Sequence, residues 1–256
     1  MVLPLYKPLG LTPLQALEAL RLHAGLGEEK LTYAGRLDPL AEGVMLVLGG
    51  EERHRKAEYT GLDKTYEAEV LLGWGSDSGD VMGRLRRGGP AQGPVEEAVR
   101  ALEGERERRV PAWASVPVAG KSLVWHQRQG RAVEAPLRSM RVEQVEWQGE
   151  RQVDADTLHR CIKKKILMVQ GSFRQEEVLT DWEKGLKDGA PGRVIRFSCV
   201  TGPGAYLRSL AAELGQRLGT EALLFSLYRS RVGHWTTADC IHLPGAGGLE
   251  AGRTEG

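Results

Sequence analysis

The sequence predicts an α+β fold from two kinds of pattern that recur along its length. Short apolar runs closed by glycine, VMLVLGG (44–50), KTYEAEVLLGWG (64–75) and GRVIRFSCVTG (192–202), have the length and boundaries of β-strands. Other segments carry apolar residues at steps of three and four, the spacing of one helix face. With 41% hydrophobic residues among 256, the chain can bury a sizeable core without staples, as one large domain or two small ones.

The first helix is expected over LTPLQALEALRLHAGL (11–26). Leu14, Leu17, Leu20 and Ala24 share a face there, Thr12 serves as N-cap and Pro13 takes the first helical position. Two strands follow, at 44–50 and 64–75, and SDSGDVMGRLRRGGPAQGP (76–94) reads as loop. PVEEAVRALEGE (94–105) is a short amphipathic helix with Val95, Ala98, Val99 and Leu102 on one side, and RSMRVEQVEW (138–147) is a strand. GAYLRSLAAELGQRLGTEA (204–222) puts Leu207, Leu210, Ala211, Leu214 and Leu218 on one stripe before Gly219, a C-terminal stop. The polar stretch 149–192, helical around DTLHRCIKKKIL and QEEVLTDWEKGLK, is an excursion between two strands, and 244–256 is expected to be a disordered tail.

Composition narrows the function classes. The three cysteines, Cys161, Cys199 and Cys240, are far apart and lack CxxC or Cys/His ligand spacing, which argues against a disulfide framework or a zinc site. No apolar run approaches the roughly 18 residues of a membrane span, and the N-terminus lacks the features of a secretory signal, so the expected location is the cytoplasm. From Arg84 to Arg141 the chain carries 12 Lys/Arg against 6 Asp/Glu, so a net charge of +1 conceals a basic middle. Such a block is either a solvated surface or a face for a polyanion.

The stretch YAGRLDPLAEGV (33–44) sets Asp38 directly before a proline. On that pattern alone, Asp38 is a helix N-cap with proline at N1. Asp77 and Asp80, in a Gly/Ser loop, read locally as turn formers, and no histidine or third acid stands near enough in sequence to suggest a metal site. Tyr66 reads as a strand tyrosine, Arg208 as a helix-surface arginine and Tyr206 as a strand-end aromatic.

Five segments in order change that reading. YKPLGLTP, AGRLDPLAEGV, KTYEAEVLLGWGSDSGDVMG, TGPGAYLRSLAAELGQRLG and LFSLYRSRVGHW resemble successive motifs of the TruB family of tRNA pseudouridine synthases. The resemblance runs from about Leu5 to about Trp235. It implies a pseudouridine synthase domain over 1–243, with a mixed, largely antiparallel sheet flanked by helices and an RNA-binding cleft. It also implies isomerisation of the T-arm loop uridine of tRNA, for which one Asp and one Arg suffice, so neither metal nor cofactor is expected; nothing in the sequence suggests an obligate dimer, and a monomer is expected. Residue by residue, Asp38 is then the catalytic carboxylate, Arg208 its partner and Tyr66 the ring on which the flipped uracil stacks. Tyr206 is the second aromatic, and Asp80 and Leu227 line the base pocket. Lys64 opens the K-x-Y strand, and Tyr33 stands where the family usually has histidine.

The chemistry suits those residue types. Breaking the glycosidic bond and rejoining the base through C5 needs an ionised carboxylate at C1′ or C2′. In a dry pocket desolvation raises the pKa of Asp38, and a bidentate Arg208 opposes that. Extruding the uridine costs a few kcal/mol, which aromatic stacking at about 1–3 kcal/mol per base can offset.

The segment VPAWASVPVAGKSLVWHQRQGRAVEAP corresponds to the family's RNA-clasping insertion (109–140), but Trp113, Pro117 and Val124 replace its usual Tyr, Lys and Tyr. Lys121 and Arg128 are retained there and are expected to contact RNA phosphates. The excursion is longer than the family's usual connection, and its RCIKKK run reads as a solvated helix face or an RNA contact. The C-terminal PUA domain common in bacterial members is expected to be absent, since only about 20 residues follow the last motif. Two rival readings stay open: a tRNA-folding chaperone with little or no catalysis, and a carboxylate enzyme acting on sugars.

Overall fold

A seven-strand path runs through the main sheet, and its alternating side chains decide which residues reach which layer. The computed structural model describes residues 1–244. Apart from Pro244, the expected disordered tail lies outside the described residues.

β1 (Val2–Lys7) leads into α1 (Pro13–His23), whose start is fixed reciprocally: the Thr12 hydroxyl accepts from Gln15 N, and the Gln15 side chain accepts from Thr12 N. Next come β2 (Leu31–Ala34), β3 (Ala41–Gly49), the short helix α2 (Lys56–Thr60) and β4 (Lys64–Leu72). β5 (Trp74–Ser76) and β6 (Leu85–Arg87) make a small hairpin, followed by α3 (Val95–Arg100) and β7 (Gly104–Arg109). The insertion contains β8 (Pro117–Val118), β9 (Lys121–Ser122) and α4 (Leu123–Arg128). β10 (Leu137–Val153) precedes α5 (Ala155–Met168) and α6 (Gln175–Gly185). β11 (Gly192–Thr201), α7 (Leu207–Arg217), β12 (Ala222–Val232) and β13 (Trp235–Thr236) complete the order.

The main sheet is ordered β1-β3-β12-β4-β11-β10-β7, with β2 beside β3 and β13 beside β12. Between the named strands of this sheet every described pairing is antiparallel except β3 with β12, which are parallel. The expected α+β fold with a mixed, largely antiparallel sheet is what the chain adopts.

Because strand side chains alternate, each strand supplies both faces. Val70, Leu72, Ile195 and Phe197 point to one side, where α3 and α7 pack with Val99, Leu210 and Leu214. Leu71, Val194, Leu223 and Phe225 point to the other, where α5 and α6 cover them with Leu158, Ile162, Ile166 and Trp182. The polar excursion is thus the roof of the second sheet face, and its apolar residues are the inward stripe of two helices.

Several local expectations need correction. Of the face expected on α1, Leu17 and Leu20 are buried, together with Ala16, while Leu14 and Ala24 are exposed; burial selects the side toward β1 and β3, which leaves Leu14 outside it. The loop 76–94 includes β6, paired to β5. Asp38 caps no helix: Ala41 N donates to Asp38 O at 3.0 Å, closing a turn that enters β3. Asp at the first and Pro at the second position also suit a type I turn, so one dipeptide serves both structures. Lys165, inside the RCIKKK run, is turned inward, with its Nζ donating to Phe225 O at 3.0 Å and lying 4.9 Å from that ring's centroid. Burial lowers its pKa.

Candidate active site

Asp38 is placed by the turn ahead of β3, and the parallel register sets Ala41 beside Leu227, which faces Ala68 of β4 on its other side. Tyr66 lies two residues earlier on β4, opposite Arg229 and Cys199. α7 brings Arg208 in its first turn, with Tyr206 immediately before the helix. Asp80 comes from the loop between β5 and β6, which is tied to β12 by Leu224 N donating to Gly79 O at 2.9 Å.

Arg208 is the centre of the arrangement. Its side chain is 5% exposed, with Nε 2.9 Å from Asp38 Oδ2 and 4.0 Å from Asp80 Oδ2, while Nη1 donates to Ser78 O at 2.9 Å. The expected bidentate fork on Asp38 is absent among the described contacts, where only Nε approaches it and Nη1 goes to the Ser78 carbonyl. The Nε–Asp38 contact is a close ion pair that lacks hydrogen-bond geometry. Gly79, at φ +78, lets this loop press on the arginine; a Cβ there would lie 3.2 Å from Arg208 Cβ.

The electrostatics divide the two acids. Burial raises the pKa of Asp80, with Arg208 and the Ser78 hydroxyl opposing it, and Asp80 Oδ1 accepts from Ser78 Oγ at 2.6 Å and Met82 N at 2.9 Å. Asp38 keeps 41% of its side chain exposed, so the drying expected around it falls on its neighbours. Burial disfavours the Arg208 charge, and the carboxylates of Asp38 and Asp80 outweigh it, raising its pKa. Burial also raises the pKa of Tyr206.

Two cavities meet at Asp38, Arg208 and Trp113. The smaller, about 110 Å³, is walled by Tyr66, Tyr206, Leu224 and Leu227. The larger, about 640 Å³, opens past Asp80 between the insertion and the excursion, with Arg128 and Phe173 on its walls. Asp38, Arg208, Tyr66, Tyr206, Asp80, Leu227 and Arg128 are thus gathered around one cleft.

The remaining candidates lie elsewhere. Tyr33 is half-buried on β2 against the α1 cluster, with Lys56 Nζ 5.3 Å from its ring centroid. Lys64 is buried, donating to the carbonyls of Thr60 and Leu62, and burial lowers its pKa to about 8. Lys121 is exposed on the insertion, 5.8 Å from the Trp125 ring centroid, which Arg131 approaches at 4.9 Å. Much of the basic block is matched by acids: Arg84, Arg86, Arg87, Arg100, Arg106, Arg108, Arg109 and Arg141 all form ion pairs. Among the described residues, Lys121, Arg128, Arg131 and Arg138 have no such partner, so the block's uncompensated charge lies on the insertion and at the start of β10.

Residue-by-residue reading missed Arg229, although it stands within a quoted motif. It is 1% exposed and donates to the carbonyls of Val44, Arg36 and Gly35 at 2.6, 3.0 and 3.2 Å, gripping the Asp38 loop from beneath. A charged residue interrupting the apolar run of β12 was the available signal. Lys7, also within a quoted motif, is fully buried and donates to Pro8 O and Leu11 O at 2.9 and 2.7 Å.

Residues 23–165, more than half the chain, match the model of the TruB family pseudouridylate synthase N-terminal domain. Among curated relatives, the tRNA pseudouridine synthase B of Bacillus licheniformis is 27% identical, the match covering 99% of this chain and 72% of that protein. The enzymes of the same name from Acaryochloris marina and Xanthomonas oryzae pv. oryzae are each 30% identical, with 93% and 98% of this chain matched to 70% of each relative. Solved structures share the fold. A chain of an H/ACA RNP bound to a substrate RNA containing 2'-deoxyuridine matches with TM-score 0.56 and 19% identity, over 94% of this chain and 50% of that one. A chain of a Cbf5-Nop10-Gar1 complex matches with TM-score 0.57 and 20% identity, over 94% and 52%. The present chain spans about half the length of those solved chains.

Proposed function

Since the chain belongs to the TruB family of pseudouridylate synthases, we propose that it isomerises a uridine of tRNA to pseudouridine, the uridine of the T-arm loop, and that Asp38 is the carboxylate that does so. The observation that carries this reading is the placement of Asp38 against the buried Arg208 at the junction of two cavities, one of them walled by two tyrosines and two leucines. Residues 1–243 form the catalytic unit in this reading, acting as a monomer in the cytoplasm.

In the reaction the bond from N1 of uracil to C1′ breaks, the base turns over, C5 bonds to C1′, and the C5 proton is exchanged for one on N1. No electrons are gained or lost. The carboxylate of Asp38 acts at the sugar, by attack at C1′ or by taking the C2′ proton, and is ionised in either case. Arg208 steers one of its oxygens, and the charge of Arg208 is itself held by Asp38 and by the second carboxylate, Asp80. The smaller cavity receives the base between Tyr66 and Leu227. The cations of the insertion, Lys121 and Arg128 among them, meet the phosphates flanking it.

The test incubates purified wild type and Asp38→Asn with an unmodified tRNA transcript and maps pseudouridine by carbodiimide-dependent primer-extension stops. A T-loop stop with wild type alone is expected. Activity retained in Asp38→Asn would remove the carboxylate from the chemistry. No stop with either protein, together with retained tRNA binding, would assign the cleft to binding and folding of tRNA.

A further inference from the structure

Arg174 is outside the set that the chemistry uses, and its backbone sets it apart. Its φ of +62 places it, with Ala119 and Gln144, among the described non-glycine residues in a region that glycine occupies freely. The residue lies between α5 and α6, directly before Gln175. Its guanidinium meets two partners from distant parts of the chain. Both terminal nitrogens donate to the Asp77 carboxylate, at 2.8 and 3.2 Å, and the guanidinium carbon lies 4.0 Å from the Trp113 ring centroid. Asp77 belongs to the loop whose Ser78 and Asp80 hold Arg208, and Trp113 lines both cavities that meet at Asp38. One side chain therefore joins the catalytic loop, the insertion and the excursion.

The pairing also decides what Arg174 does. Arg174 lines the larger cavity with 27% of its side chain exposed, but Asp77 neutralises it, both of its described hydrogen bonds go to that carboxylate and its plane lies against the indole, so its effect falls on Trp113. A planar guanidinium can stack on a ring and bind a carboxylate through two nitrogens at once, which an ammonium cannot. We propose that Arg174 is a positioning residue: clamped by Asp77, it holds Trp113 at the junction of the two cavities, so that the excursion shapes the substrate cleft before RNA arrives. This rests on the RNA-modifying reading given above for what the cleft receives.

The decisive variant is Arg174→Gly, which removes the side chain and relaxes the left-handed backbone, so that the fold keeps its stability. Expected are an unchanged or higher Tm, faster amide exchange over 111–116 in the RNA-free protein, and a KM for the tRNA transcript about tenfold higher with kcat little changed, the scale of losing one anchored aromatic. Arg174→Lys, which leaves the backbone as it is, gives the same KM, and Arg174→Gly adds nothing in a Trp113→Ala background. Unchanged exchange at 111–116, an unchanged KM, or an undiminished effect of Arg174→Gly without Trp113 each overturns the proposal. Equilibrium binding of the same transcript reads the tenfold change without turnover. Absence of pseudouridine in wild type would sink the proposed reaction while exchange and binding still judge Arg174.

Discussion

Lys7, Lys64 and Arg229 are buried around the segment that carries Asp38, and each donates to main-chain carbonyls. Hydrogen bonds to carbonyls satisfy the donors but leave the charge poorly compensated, which shows in Lys7: burial lowers its pKa to about 7, with Asp38 opposing the shift and Arg229 adding to it. An unfolded lysine titrates near 10.4, so between about pH 7 and that value the unfolded chain holds a proton that the folded chain has released. Stability therefore rises with pH across this window, by up to about 1.4 kcal/mol per pH unit for one proton. Lys64, lowered to about 8, acts in the same sense from a higher starting point. Cys199 and Cys240, both pushed up to about 12 by burial, act in the opposite sense once unfolded thiols ionise near pH 8.5, which sets the upper end of a clean measurement. Denaturant titrations between about pH 7 and 8.5 are expected to show the rise in wild type and a flatter profile in Lys7→Met. Equal slopes in the two proteins would show that Lys7 does not release its proton in the folded state.

At the scale of elements, the parallel contact between β3 and β12 governs the site, because it aligns the turn of Asp38 with Leu227. The approach is close at Gly43, whose φ is +113 and whose missing Cβ would lie 2.1 Å from Arg229 O. A side chain there must separate the two strands or break the backbone conformation, and Arg229 would lose its grip on the Asp38 loop. Gly43→Ala is therefore expected to destabilise the protein by more than about 3 kcal/mol, seen as a large fall in Tm, where an exposed Gly→Ala change shifts it little. The sequence made such elements legible to unequal degrees. β4 and α7 stood out because alternation and a three-and-four stripe are strong local signals; the stripe expected on α7 is buried, and Arg208, which reads locally as a surface residue, is buried with it. Asp38 misled on structure because Asp-Pro suits a helix start and a type I turn alike, and only the pairing of β3 with β12 chooses between them. Leu14 misled because the edge of a short, mostly apolar helix's buried face is set only when a sheet covers it. The meeting of Arg174, Asp77 and Trp113 left no sequence signal, since three segments up to about 97 residues apart converge only after both sheet faces are packed.

For the whole molecule, the question is how an excursion on one face of a sheet bears on a cleft built largely from the other segments. Trp182 supplies the connection. It is fully buried under β4, β11 and β12, its ring lies 5.6 Å from that of Trp74, and its Nε1 donates to Val81 O at 3.0 Å. Val81 follows Asp80 directly, so the roof helix holds the loop that holds Arg208. Trp182→Ala would leave a large cavity and an unpaired carbonyl, and its expected cost is about 3–5 kcal/mol, too much to separate loop positioning from general unfolding. Trp182→Phe separates them. It retains most of the packing and loses the hydrogen bond to Val81, so stability is expected to fall by only about 1–2 kcal/mol, measured by denaturant unfolding. If the excursion acts through this carbonyl, turnover on a tRNA transcript falls well beyond the fraction unfolded at the assay temperature, with RNA binding nearly unchanged. If turnover instead tracks the folded fraction, the roof serves stability alone and the loop of Asp80 keeps its shape without it.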